Sequence, residues 1–125
     1  MSAAASSCPF CSLEGAVLRD PLAHARYDRF PVSAGHMLVI PMRHVGDFFS
    51  TTLEERDAMF ALAEQARSPI EREHHPDGYN LLINVGEAAG QTLFHVHLHL
   101  IPRYTGDVLN PRGGVRGVIP SRQNY

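Results

Sequence analysis

The segment HVHLHLI, residues 95 to 101, alternates imidazole and aliphatic side chains. That period of two constrains the fold more than any other feature of the chain. In a strand, alternate residues share a face and repeat every ~6.6 Å. The pattern therefore places His95, His97 and His99 on one face and sends Val96, Leu98 and Leu100 into a core. Histidine is a costly choice merely to be wet, so the row points to chemistry. One option is metal ligation, with neighbouring imidazoles converging on a zinc that keeps an open position for activated water. The other is nucleophilic attack by a neutral imidazole, which splits one displacement into two easier ones.

The rest of the chain supplies the frame. His36 to Ile40 is an apolar run between Gly35 and Pro41 and reads as a buried strand. YNLLINV and FHVHLHLIPRY read as two further strands, joined by the small-residue turn GEAAGQT as a hairpin. TTLEERDAMFALAEQARSPIEREHH reads as the one substantial helix, with Thr52 as its cap and Glu55 at the capping-box position. Met59, Leu62, Ala63, Ala66 and Ile70 recur at helical spacing and face the core. Pro69 predicts a kink or break near Arg67 to Ser68, because it removes a backbone donor. The order strand, helix, strand, strand predicts an α+β fold with an antiparallel sheet. At 125 residues the chain is expected to form one domain, 1–125, with its core at about 8–104 and an irregular tail over 105–125.

A net charge of −2 argues against a broad nucleic-acid footprint. No apolar run approaches the ~20 residues of a membrane span. MSAAASS lacks the basic start and apolar core of a signal peptide, so the cytoplasm is the expected compartment. The only two cysteines lie in CPFC, which then reads as a metal or redox pair rather than a structural disulfide.

HVHLHLI fits the His-φ-His-φ-His-φ-φ signature of the histidine-triad (HIT) nucleotide hydrolases and transferases, where φ is apolar. YDRFPVSAGHMLVIPMRHV also resembles that family's upstream strand pair, and NVGEAAGQTLFHVHLHLIPR its hairpin and active-site strand. The resemblance implies an antiparallel sheet of about five strands with one main helix, two protomers joining into a continuous sheet. It implies that His97 is the nucleophile taking a nucleotidyl group from the α-phosphorus, that His99 contacts the phosphate, and that His36 supports the triad. Asp28 matches the residue holding the ribose hydroxyls. Asn84, Gln91 and Thr92 match polar side chains around the phosphates and leaving group. Arg26 and Arg29 stand where many relatives carry apolar residues beside that acid.

A branch of the same superfamily carries an N-terminal C-x-x-C that joins two histidines on a structural zinc. Here those positions are Cys8, Cys11, His44 and His95. The expected activity is hydrolysis or transfer at the α-phosphorus of an AMP-type derivative, a dinucleoside polyphosphate or a nucleoside phosphoramidate. The rival readings are a metallohydrolase ligated by His95, His97 and His99, and a regulatory module that binds nucleotide without turnover.

Overall fold

The computed structural model describes residues 7 to 125. Residues 1 to 6, the stretch that bears on a leader, lie outside them. Five strands form one sheet: β1 (Ala16–Arg19), β2 (Ala23–Tyr27), β3 (Met37–Pro41), β4 (Gly78–Ile83) and β5 (Leu98–Arg103). Their order is β1-β2-β3-β5-β4 and every pairing is antiparallel. A single long helix, α1 (Leu53–His74), connects β3 to β4. None of the helices described is long and apolar enough to cross a membrane.

One sheet face packs against α1. Ala23 and Ala25 from β2, Met37 and Val39 from β3, and Leu98 and Leu100 from β5 meet Met59, Leu62, Ala63, Ala66 and Ile70 of the helix. These are the helix positions expected from spacing, and each is buried. By alternation, His24 and Arg26 of β2, Leu38 and Ile40 of β3, and His99 of β5 belong to the opposite face. The N-terminal segment lies against that face, held by hydrogen bonds from His24 and Arg26.

The capping box forms as expected: Glu55 N–H donates to Thr52 Oγ1 at 3.0 Å and Thr52 N–H donates to Glu55 Oε1 at 2.9 Å. The same carboxylate receives Nε and Nη2 of Arg43, both at 2.9 Å, which holds its pKa below the ordinary range. Glu55 is 4 % exposed while its partners Arg43 and Thr52 are exposed, so its removal costs the bonds themselves and strands no buried group. Glu55→Ala is expected to lower stability by ~2 kcal/mol, the sum of a lost cap and a lost charge-assisted pair. Urea unfolding checks this, and a change within ~0.5 kcal/mol would contradict it.

Three expectations need correction. The helix runs unbroken through Pro69, because Ala66 and Ile70, both 0 % exposed, anchor it to the sheet on either side of the proline. The last strand begins at Leu98 rather than Phe94, so His95 and His97 precede it. The link between β4 and β5 is therefore longer than GEAAGQT and spans residues 84–97. Gly86 and Gly90 within it take φ of 88° and 96°, a region that disfavours side chains. The tail is not wholly irregular, since Gly114–Val118 and Pro120–Arg122 form 3-10 turns.

Candidate active site and metal centre

The three alternating histidines face two different places. His99 and His97 line a cavity of about 740 Å³. His95 is 0 % exposed and turns to a second group made by Cys8, Cys11 and His44. Sequence alternation does not survive as a common face because the backbone at residues 95 to 97 lies outside the strand.

The hydrogen-bond network assigns each ring its tautomer. His97 Nδ1–H donates to the His95 carbonyl at 2.9 Å, which leaves Nε2 as an unprotonated nitrogen. Val32 N–H donates to His36 Nδ1 at 3.0 Å, so His36 carries its proton on Nε2. That proton goes to His99 Nδ1, again at 3.0 Å, which leaves His99 with Nε2–H as its free donor. Asp28 Oδ2 lies 3.5 Å from the same His36 nitrogen, while Oδ1 accepts from Phe30 N–H at 2.9 Å. The result is a lone pair on His97 and a donor on His99 in neighbouring rings, whose centroids are 5.0 Å apart.

Asp28, Asn84 and Thr92 also line the cavity, with Phe10, Arg26, Arg29 and Leu38. His36 stands behind His99 and is 2 % exposed. Gln91 is placed elsewhere than expected. It is buried, its Oε1 accepts from Gly86 N–H at 2.9 Å, and its Nε2 donates to the carbonyls of Gly46 (2.7 Å) and Leu93 (3.2 Å). It braces the loop that carries Gly90, Thr92 and Leu93 and does not itself border the cavity. Phe10, whose ring centroid stands 4.9 Å from that of His97, and His24, which bonds the Phe10 carbonyl, lie outside the site set expected from sequence. The signal for Phe10 was its place inside CPFC, and for His24 its alternation with Arg26 and Asp28.

Burial lowers the pKa of His97, and desolvation outweighs the opposing pull of the His95 carbonyl and Asp28. It also lowers His24 and His36, and takes His99 to about 4, with His97 and His36 adding to that shift and Asp28 opposing it. Depressed imidazoles leave the folded chain with fewer protons than the unfolded one below the ordinary value of 6.5. Stability is therefore complete above that pH and falls as pH drops from about 6.5 toward 4. The thermal midpoint should hold above pH 7 and decline steeply below 6. A midpoint unchanged from pH 7 to 4.5 would show that these rings accept protons in place.

The second group has the donors of a closed zinc site. Cys8 Sγ lies 3.4 Å from His95 Nδ1, Cys11 Sγ 3.5 Å from the same atom, and Cys11 Sγ 3.1 Å from His44 Nδ1. All four ligand atoms fall within 4.8 Å of one another. Tetrahedral zinc with bonds of ~2.3 Å to sulfur and ~2.0 Å to nitrogen sets sulfur–nitrogen edges of about 3.5 Å, so the residues fit the ion. His95 Nε2–H donates to the Pro41 carbonyl at 2.8 Å, which fixes Nδ1 as the ligating nitrogen. The same geometry rules out a single metal on His95, His97 and His99. Among the described residues, His95 groups with the cysteines, His99 with Asp28 and His36, and His97 with neither.

An imidazole with a free nitrogen, a donor imidazole beside it and a carboxylate stand around one cavity. The HIT domain family matches residues 13–106, and the chain belongs to that family. Its fold is similar to that of a zinc-bound histidine triad family protein from Mycobacterium smegmatis, with TM-score 0.75 and 36% identity, over 85% of this chain and 81% of the other. The chain is 34% identical to an AP-4-A phosphorylase of Mycobacterium tuberculosis over 73% of its length and 47% of the relative's. It is 37% identical to a bifunctional bis(5'-adenosyl)-triphosphatase/adenylylsulfatase of Arabidopsis thaliana, over 70% of its length and 48% of the relative's. It thus spans about half the length of these two enzymes.

Proposed function

We propose that the chain cleaves a nucleotide derivative at its α-phosphorus through a covalent nucleotidyl-His97 intermediate, with water as the final acceptor. The observation that carries this reading is the His97 tautomer. Its Nδ1–H is committed to a carbonyl, so the Nε2 lone pair is available on a ring that lines the cavity. That lone pair attacks phosphorus, the bond to the leaving group breaks, and the leaving group departs with the electron pair. Water then attacks the same phosphorus, the phosphorus–nitrogen bond breaks, and neutral imidazole returns.

The other residues act around that step. His99 Nε2–H donates to a phosphoryl oxygen, and His36 holds His99 in the tautomer that makes this possible. Asp28 accepts from the ribose hydroxyls, since a carboxylate offers acceptors for both. Asn84 and Thr92 approach the phosphates, and Gln91 acts through the loop it braces. The activities in the two relatives' names support an AMP-type substrate such as a dinucleoside polyphosphate, with a nucleoside phosphoramidate as the nearest chemical alternative.

Cys8, Cys11, His44 and His95 would hold one zinc, which supplies a structural crosslink between the N-terminal segment and the residues ahead of β5. The cysteines are unbridged, which suits a reducing compartment such as the cytoplasm.

The test of the reading is mass spectrometry of protein quenched during turnover of a dinucleoside polyphosphate. A nucleotidyl adduct on His97 is the expected result, and turnover with no adduct on any histidine would sink it.

The sheet edge supports the expected homodimer. β4 is a terminal strand of the sheet, and Leu81 on it and Leu53 and Phe60 on α1 are 48%, 70% and 47% exposed. Two protomers pairing through this region would cover both the edge and the apolar side chains. Light scattering at micromolar concentration should give twice 13.8 kDa, and a mass of 13.8 kDa would exclude the dimer.

A further inference from the structure

Three backbone carbonyls of the N-terminal segment are taken by two side chains of one strand. His24 Nε2–H donates to the Phe10 carbonyl at 3.1 Å, and Arg26 Nη1 donates to the Pro9 carbonyl at 3.3 Å. Arg26 Nη2 donates to the Ser12 carbonyl. His24 and Arg26 alternate on β2, so both stand on the sheet face that this segment covers. Their partners across the ladder are Ile40 and Leu38 of β3, both apolar and buried. A wall that only filled space would continue in apolar residues. Instead His24 is 1 % exposed, and its Nδ1 and Arg26 Nε are buried without a partner among the described residues. The polar heads are retained where each leaves a nitrogen unsatisfied, and the bonds they do make all go to one short segment.

That segment has two tasks at once. It carries Cys8 and Cys11 of the candidate zinc group. It also places Phe10 in the cavity wall, with the ring edge-on to His97 and the centroids 4.9 Å apart. The Arg26 guanidinium lies 5.5 Å from the Phe10 centroid, so the same side chain holds the backbone on both sides of Phe10 and faces its ring. Both terminal nitrogens of Arg26 are turned to carbonyls, which leaves it badly placed to serve as a phosphate clamp.

We propose that His24 and Arg26 are positioning residues that clamp the Pro9–Ser12 segment onto β2, so that Phe10 forms a fixed wall of the nucleotide cavity beside His97. This rests on the reading of that cavity as the nucleotide site. The two residues act on ligand affinity through Phe10, because a wall held before binding need not be ordered by the ligand. His97 takes its orientation from the His95 carbonyl instead, so the clamp shifts KM more than kcat.

The test compares wild type, Arg26→Ala, Phe10→Ala and the double variant, each as the full chain, by backbone hydrogen exchange and AMP titration. Arg26→Ala should speed exchange across residues 10–16 by about tenfold while α1 is unchanged. It should weaken AMP binding by about tenfold and raise KM similarly, with kcat within about threefold. In the Phe10→Ala background its further effect on AMP binding should be under about twofold. His24→Gln, which keeps a donor, should stay closer to wild type than His24→Leu. Unchanged exchange in Arg26→Ala, exchange that speeds equally throughout α1, or losses from Arg26→Ala and Phe10→Ala that simply multiply would each overturn the clamp. Wild type that fails to bind AMP would refute the nucleotide reading, and the exchange comparison would still decide the clamp.

Discussion

His97→Ala is expected to lower kcat by a factor of at least ~10³ to 10⁴, as loss of a covalent nucleophile does. AMP affinity should stay within about threefold of wild type, because Asp28, Leu38, Phe10, Thr92 and Leu93 still line the cavity when His97 is truncated. Among the described residues, no other histidine bordering the cavity offers a free lone pair. His99 Nδ1 is occupied by His36, and its Nε2 carries the proton. His36 is buried behind His99, and His95 Nδ1 faces the cysteines. Single-turnover kinetics with the alanine variant decide the matter, together with AMP titration. A residual rate within tenfold of wild type would move the nucleophile elsewhere, and lost AMP binding would mean that the substitution had collapsed the cavity.

Loss of a zinc held by Cys8, Cys11, His44 and His95 is the second large effect expected. Cys8 and Cys11 come from the N-terminal segment, His44 from the stretch after β3, and His95 from the approach to β5, up to 87 residues apart in the chain. An ion binding four such groups in the folded state alone adds its binding free energy to folding. Chelation, or Cys8→Ser with Cys11→Ser, should lower the thermal midpoint by roughly 10 to 20 °C, which corresponds to a loss of a few kcal/mol in a domain of this size. The part of the population still folded at low temperature should keep most of its activity, since neither His97 nor His99 is a ligand in this group. Chelation that stops turnover at once with the midpoint unchanged would place the metal in the chemistry instead. Elemental analysis of protein purified without chelator should find one zinc per chain.

How much of this was legible beforehand differs from element to element. The capping box at Thr52 and Glu55 and the buried stripe on α1 were visible because they are local: spacing along one helix decides them. The buried strand at β3 was visible for the same reason, since all five of its residues are apolar and buried. β1 and β2 were less legible from pattern alone. The face of β2 that holds His24 and Arg26 is polar although covered, so hydrophobic alternation gives a weak signal there. Pro69 carried a strong local preference, and burial of its neighbours overrode it.

The candidate site divides along the same line. Which residues are chemically able to act was readable: five histidines and one carboxylate in spaced motifs, two cysteines three positions apart, and small polar residues around a glycine-bounded loop. How they are partitioned was not readable from periodicity, and came only from the family resemblance. The sequence by itself determined a sheet-and-helix fold with a row of imidazoles beside apolar positions, because backbone periodicity and side-chain type depend only on neighbours in the chain. The grouping of His95 with Cys8, Cys11 and His44 was implied by the family resemblance and not by the alternation itself, whereas only the tertiary structure decided that His36 fixes the proton on His99 and that Gln91 braces a loop instead of lining the cavity. Each of those outcomes rests on a hydrogen bond or ligand distance between groups far apart in sequence. Such pairings are selected by what each buried polar atom finds within about 3 Å, which no local pattern specifies.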